Sequence, residues 1–185
     1  MRLAAIIAGL VFILAACSCL AKERNKAIQS KNGHSQITLP DGWVEAKLRS
    51  GRNKISAKCD EKAAYVLVIA EAKVDLPKDK TAEDYAARIL KIEQGKKAIE
   101  DQSLSAAKKL KIHGYPAVQY ELTGTLKSSG VGIKYLKTFV ALPTQFCQVM
   151  CWTSPSRFDE CRGDFDAVTG SVNEPGSRGG AKEKE

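Results

Sequence analysis

The chain has 185 residues, 29 Lys and Arg against 21 Asp and Glu, and a formal charge of +8. Its composition is that of a globular protein, and its length suits one domain of ordinary size with tails rather than several. Aromatic platforms are not interleaved with the basic residues, which argues against nucleic acid as a partner.

The N-terminus carries the most specific signal. An apolar run from Leu3 to Ala16 follows Arg2 and ends in Leu14, Ala15, Ala16, Cys17. It is too short for a bilayer, whose hydrocarbon core of about 30 Å needs about 20 apolar residues as a helix. An ordinary secretory signal has a similar apolar region and small-residue cleavage site. The Cys immediately after two small residues instead makes a bacterial lipobox, in which the Cys17 thiol accepts diacylglycerol and becomes the first residue after cleavage. Cys19 fails the same pattern, because Cys17 would occupy its minus-two position. Each buried lipid methylene contributes about 0.8 kcal/mol, and one acyl chain binds only reversibly. The two or three chains of a lipoprotein would make the membrane a permanent partner. Ser18, where an Asp usually retains a lipoprotein in the inner membrane, points to the outer membrane, facing the periplasm, if the cell is Gram-negative.

Removal of residues 1–16 takes Arg2 and lowers the formal charge to +7. The excess lies in Lys22, Arg24, Lys26, in Lys47, Arg49, Arg52, Lys54, Lys58, and in Lys108, Lys109, Lys111. It reads as a solvated basic surface; the competing reading sets it against anionic headgroups or acidic glycans. Residues 17–34 lack clear periodicity and read as a lipidated N-terminus and flexible tether.

The expected domain spans 35–172. Ser35–Leu39 alternates as a short strand, the turn Pro40, Asp41, Gly42 follows, and Trp43 is expected to bury against the sheet. Lys54–Cys59 alternates weakly. Tyr65–Ala72 is apolar on both faces and reads as a central strand covered on both sides. Thr81 to Asp84 has the form of a capping box, and Tyr85, Ile89 and Ile92 form a helix stripe that ends at Gly95. Strands are expected over Ala98–Leu104 and Lys108–Ile112, then a tight turn through His113 and Gly114. Ala117–Thr123, a hairpin tip at Lys127–Gly130, Val131–Leu142 and Phe146–Thr153 complete an antiparallel meander. Ser154 and Pro155 start a last helix whose stripe Phe158, Cys161, Phe165, Val168 must pack on the sheet. Residues 173–185 are Gly-rich and charged and read as a disordered tail.

The cysteines are the candidate chemistry. With Cys17 acylated, Cys19, Cys59, Cys147, Cys151 and Cys161 remain, an odd number, so at least one stays free, pairs with another chain or is capped. An oxidising envelope favours disulfides. Cys151–Cys161 would pin the last helix to the strand before it. Cys147–Cys151 is unfavourable, since four residues of strand span roughly 13 Å, which favours Cys59 as the partner for Cys147 if Cys147 is paired. No metal site is expected, the two histidines, His34 and His113, lying far from these cysteines in sequence. Neither CxxC nor a hydrolase motif (GxSxG, SxxK, HExxH) is present. His113 has no catalytic partner nearby and reads as structural. Asp159, Glu160, Asp164 and Asp166 read as a solvated stripe rather than a cation site. No cofactor is expected.

The order Leu39, Pro40, Gly42, Trp43, then Tyr85, then Gly114, Tyr115, Pro116, Ala117, a long hairpin, and a last helix with Phe158 and Phe165 resembles the DcrB-like and PsbP-like domains, which share a fold with the Ran-binding nuclear import factor. The resemblance covers about residues 35–172 and implies an α+β fold: an α/β/α sandwich on a mostly antiparallel central sheet, with a C-terminal helix packed on it. It also implies bacterial lipoproteins or periplasmic proteins without known catalysis. The expected function is therefore a membrane-anchored, non-enzymatic binding or assembly domain with an envelope protein partner. The alternative is a thiol-active envelope redox protein using an unpaired cysteine.

Overall fold

The computed structural model describes residues 25–47, 51, 54–76 and 78–176. The lipobox, Cys17 and Cys19 lie outside them, as does 177–185 of the expected tail.

The strands are β1 (Lys26–Gln29), β2 (Gln36–Leu39), β3 (Val44–Glu45), β4 (Lys54–Cys59), β5 (Ala64–Ala72), β6 (Ile99–Leu104), β7 (Lys108–Ile112), β8 (Tyr115–Leu126), β9 (Gly132–Ala141) and β10 (Gln145–Thr153). The helices are α1 (Ala82–Gly95) and α2 (Phe158–Gly170). Antiparallel pairing runs β3-β4-β5-β10-β9-β8-β6, with β7 also on the outer edge of β8. β1 and β2 form a separate hairpin.

The expected central strand is β5, held between β4 and β10. Val66, Val68 and Ala70 turn to one face and belong to the larger core with Cys147, Val149, Cys151 and the α2 stripe Phe158, Cys161, Phe165, Val168. Ile28, Ile37 and Leu39 of the hairpin join that core. On the opposite face Tyr85, Ala86 and Leu90 of α1 pack on Val118, Phe139 and Phe146. The sheet is thus sandwiched between α1 and the layer of α2 with the hairpin, the α+β architecture expected. Tyr65, Trp152 and Tyr135 sit side by side across β5, β10 and β9, with ring centroids 5.4 and 5.7 Å apart.

Several local expectations change. The tether does not reach His34, because Lys26–Gln29 pairs with Gln36–Leu39 and buries Ile28. Two apolar residues, Ala27 and Ile28, were too weak a periodic signal; the partner strand makes β1. Nor does the fold stop at Val172, since Asn173 and Gln36 exchange backbone hydrogen bonds of 3.0 Å and Glu174 accepts from the Thr144 amide and hydroxyl. In α1 the buried stripe is Ala82, Tyr85, Ala86, Leu90, while Ile92 is 46% exposed. The last helix opens with a 3-10 turn, Pro155–Arg157, before α2 proper.

The helix ends and faces are fixed by polar contacts. Thr81 caps α1: its hydroxyl accepts from the Asp84 amide at 3.1 Å, and the Asp84 carboxylate accepts from the Thr81 amide at 3.0 Å. Tyr85 donates to Glu71 at 2.7 Å; Arg88 donates to Glu71 and, at 2.7 Å, to Asp79. The buried Lys137 ammonium donates to Glu93, which also accepts from Gln148. These contacts satisfy polar groups that would be costly to bury alone.

Gly124 is required where β6 bulges against β8. A Cβ there would lie 2.5 Å from Ile99 Cγ2 and 2.7 Å from the Glu100 carbonyl oxygen. Gly163, in the exposed middle of α2, has nothing within 4 Å of such a Cβ. Urea unfolding should therefore show Gly124→Ala destabilised by about 1–3 kcal/mol through overpacking. Gly163→Ala should be stabilised by about 0.5–1 kcal/mol through helix propensity.

Candidate interaction surface

The strands run between two ends of the sandwich. One end gathers the β4–β5 turn, the β8–β9 hairpin tip and the start of α2. The other gathers the β5–α1 loop, the β9–β10 turn, the β7–β8 turn and residues 173–176.

At the first end the sequence expectation for the acidic helix stripe fails at Asp164. Its Oδ2 accepts from the Trp43 indole and from the Lys62 ammonium, each at 2.8 Å. The carboxylate is a clasp between α2, the turn before β3 and the β4–β5 turn. Trp43 is buried as expected, its ring edge-on to Phe165 at 6.2 Å. The other flank of α2 is tied by Arg162, which donates to Glu121 at 2.6 Å and to Asp166 at 2.9 Å. Lys134 also pairs with Glu121, and its ammonium lies 4.2 Å from the Phe158 ring centre. Lys134 and then Arg162 hold the Glu121 carboxyl below the usual carboxylate range.

At the second end, Lys73 donates its amide to the Thr144 carbonyl at 3.0 Å, and Thr144 is held in turn by Glu174. Beside Glu174 a cleft of about 340 Å³ is lined by Gln36, His113, Tyr115 and Asn173. His113 and Gly114, with φ of +51° and +85°, close the β7–β8 turn. The conformation is the one a two-residue hairpin turn demands, so His113 has a structural reason to be there. The β5–α1 loop is fixed by the Leu76 amide bonded to the Lys73 carbonyl and by the Asp79–Arg88 pair. Yet it displays Val74 at 85% exposure, the most exposed large apolar residue among those described, with Lys78 and Lys80 exposed beside it. Sequence pattern did not mark Val74, because one valine in a loop carries no periodicity.

Cys59, Cys147, Cys151 and Cys161 are all buried, unbridged thiols. The pairing Cys59–Cys147 is corrected by register. Cys59 is level with Ala64 and Cys147 with Ala70 on β5, six residues and about 20 Å apart along a strand. The pairing Cys151–Cys161 is not formed either: Cys151 Sγ meets Thr169 Oγ1 at 3.9 Å, eight residues, or about 12 Å, further along α2 than Cys161. Among the described residues no group of three or more His, Cys, Asp or Glu is placed to hold a metal ion. No described helix is long and apolar enough to cross a membrane.

No family model and no curated protein matches the chain. Solved structures do. The solution structure of cyanobacterial PsbP (CyanoP) from Synechocystis sp. PCC 6803 is similar over 87% of this chain and 98% of that one, with a TM-score of 0.59 at 17% identity. The fold is PsbP-like. A crystal structure from Bacteroides thetaiotaomicron is similar over 83% of this chain, with a TM-score of 0.56 at 10% identity. The chain spans about half of that longer protein, 49%. Identities this low make these likenesses of fold.

Two measurements check the site. Asp164→Ala should lower unfolding stability by about 2 kcal/mol, the scale of hydrogen bonds to a charged group, and should change Trp fluorescence by freeing the indole. Burial pushes the Cys147 and Cys151 thiols up to about 12 from an ordinary 9.0. An acid raised on folding contributes its stability below the unfolded pKa and loses it as pH rises, because the unfolded chain releases the proton first. Each thiol should thus cost about 1.4 kcal/mol per pH unit above pH 9 until about pH 12. Cys147→Ala and Cys151→Ala should each flatten that alkaline slope in urea midpoints measured across the range.

Proposed function

We propose that this chain is a bacterial lipoprotein, anchored in the cell envelope through Cys17, whose PsbP-like domain is a non-catalytic binding or assembly module. The observation that carries the reading is the lipobox, which ends only nine residues before a folded strand. Nine residues reach at most about 30 Å, so the lipid would hold the domain close to the membrane surface. Lys26 pairs with Leu39, just before the turn that brings Gly42 against Cys59; β1 thus begins at the Asp164 end. The opposite end, with Val74, Lys78, Lys80 and the cleft beside Glu174, would face an envelope partner. Outer-membrane placement in a Gram-negative cell follows from Ser18.

A thiol-active redox protein is the weaker reading. Buried thiols held above their ordinary pKa have little thiolate to react with. In cell fractionation the wild-type chain should sediment with membranes and incorporate labelled fatty acid, and Cys17→Ser should do neither. A variant that stays firmly membrane-bound would refute the anchor. A photo-crosslinking residue in place of Val74 should capture a discrete envelope protein, and Lys78→Glu with Lys80→Glu should weaken the capture; substituting Cys151 by Ser should leave it intact.

A further inference from the structure

The register that separates Cys59 from Cys147 brings a different pair of cysteines to one end of the larger core. Cys59 closes β4, and its Sγ lies 3.9 Å from where a Cβ on Gly42 would stand. The next residue, Trp43, is clasped to α2: its indole donates to Asp164 and its ring lies on Phe165. Cys161 is one turn before Asp164 and Phe165, on the same buried stripe. Lys62, three residues after Cys59, donates to that same Asp164 oxygen at 2.8 Å. The other two cysteines are spoken for, Cys151 by Thr169 and Cys147 by its level further along the sheet.

We infer that Cys59 and Cys161, free thiols in this structure, are the pair that oxidation joins in an intradomain disulfide, tying the end of β4 to the first turns of α2. The bond forms during folding by exchange with a disulfide-bearing oxidant. Each cysteine sulfur gives up a proton, the S–S bond of the oxidant is cleaved, and its two sulfurs leave as thiols with the two electrons and two protons. The inference is independent of the lipid anchor, because the test supplies the oxidant.

The full chain is refolded from denaturant in a mixture of oxidised and reduced glutathione, alkylated under denaturing conditions and digested with trypsin without reductant. Cleavage after Lys58, Lys62, Arg157 and Arg162 places Cys59 and Cys161 on two short peptides. The expected product is these two peptides joined, two hydrogens lighter than their sum, with Cys147 and Cys151 alkylated. Recovery of both peptides as separately alkylated species, or of either linked to another cysteine, overturns the inference. The thermal midpoint of the oxidised wild type should also fall on reduction, by several degrees. Cys59→Ala and Cys161→Ala, each of which keeps the other five cysteines of the full chain, should show no such shift; an equal shift in either variant would place the bond elsewhere.

Discussion

The strand β10 is the constraint on which the architecture depends. Phe146 and Met150 point to one side of it and Cys147, Val149 and Cys151 to the other, and every one of them is buried. A strand apolar on both faces cannot lie on the surface of a single layer. It needs cover above and below. Its neighbours β5 and β9 carry the same double burden, through Val66 and Leu67 and through Leu136 and Phe139. Two helices and a hairpin provide the cover, and the three-layer arrangement follows from that need.

The two covering layers are secured by different chemistry. On the α1 side, aromatic stacking of Tyr85 on Phe146, with centroids 5.0 Å apart, combines with the Tyr85–Glu71 hydrogen bond and the buried Lys137–Glu93 pair. On the α2 side the apolar stripe is framed by two charged clasps, Asp164 with Trp43 and Lys62, and Arg162 with Glu121. Both clasps sit at the edge of the helix, where carboxylates keep some solvation. The helix therefore lies on the sheet with its orientation set from both flanks. At the loop end, backbone bonds hold Val74 out in solvent.

β1 is held to the domain, because it pairs with β2 and its Ile28 is buried. The far end offers an apolar knob, lysines and a polar cleft. The described thiols are buried in the core.

The sequence by itself determined the meander from β8 to β10, the capping box at Thr81 and the stripe on α2, because each is a local pattern whose period or spacing is its own physical cause. It also carried the resemblance to the PsbP-like domains, through the early Pro-Gly-Trp turn and the late aromatic helix. Only the tertiary structure decided the rest. Lys26–Gln29 is a strand because Gln36–Leu39 is there to pair with it. Asp164 is a clasp because folding brings Trp43 and Lys62 to it from more than one hundred positions away. Cysteine partners depend on strand register, which moves side chains by about 3.3 Å per residue. Spacing along the chain favoured Cys59–Cys147 and Cys151–Cys161; register put Cys59 and Cys161 at one end of the core and Cys147 near the other.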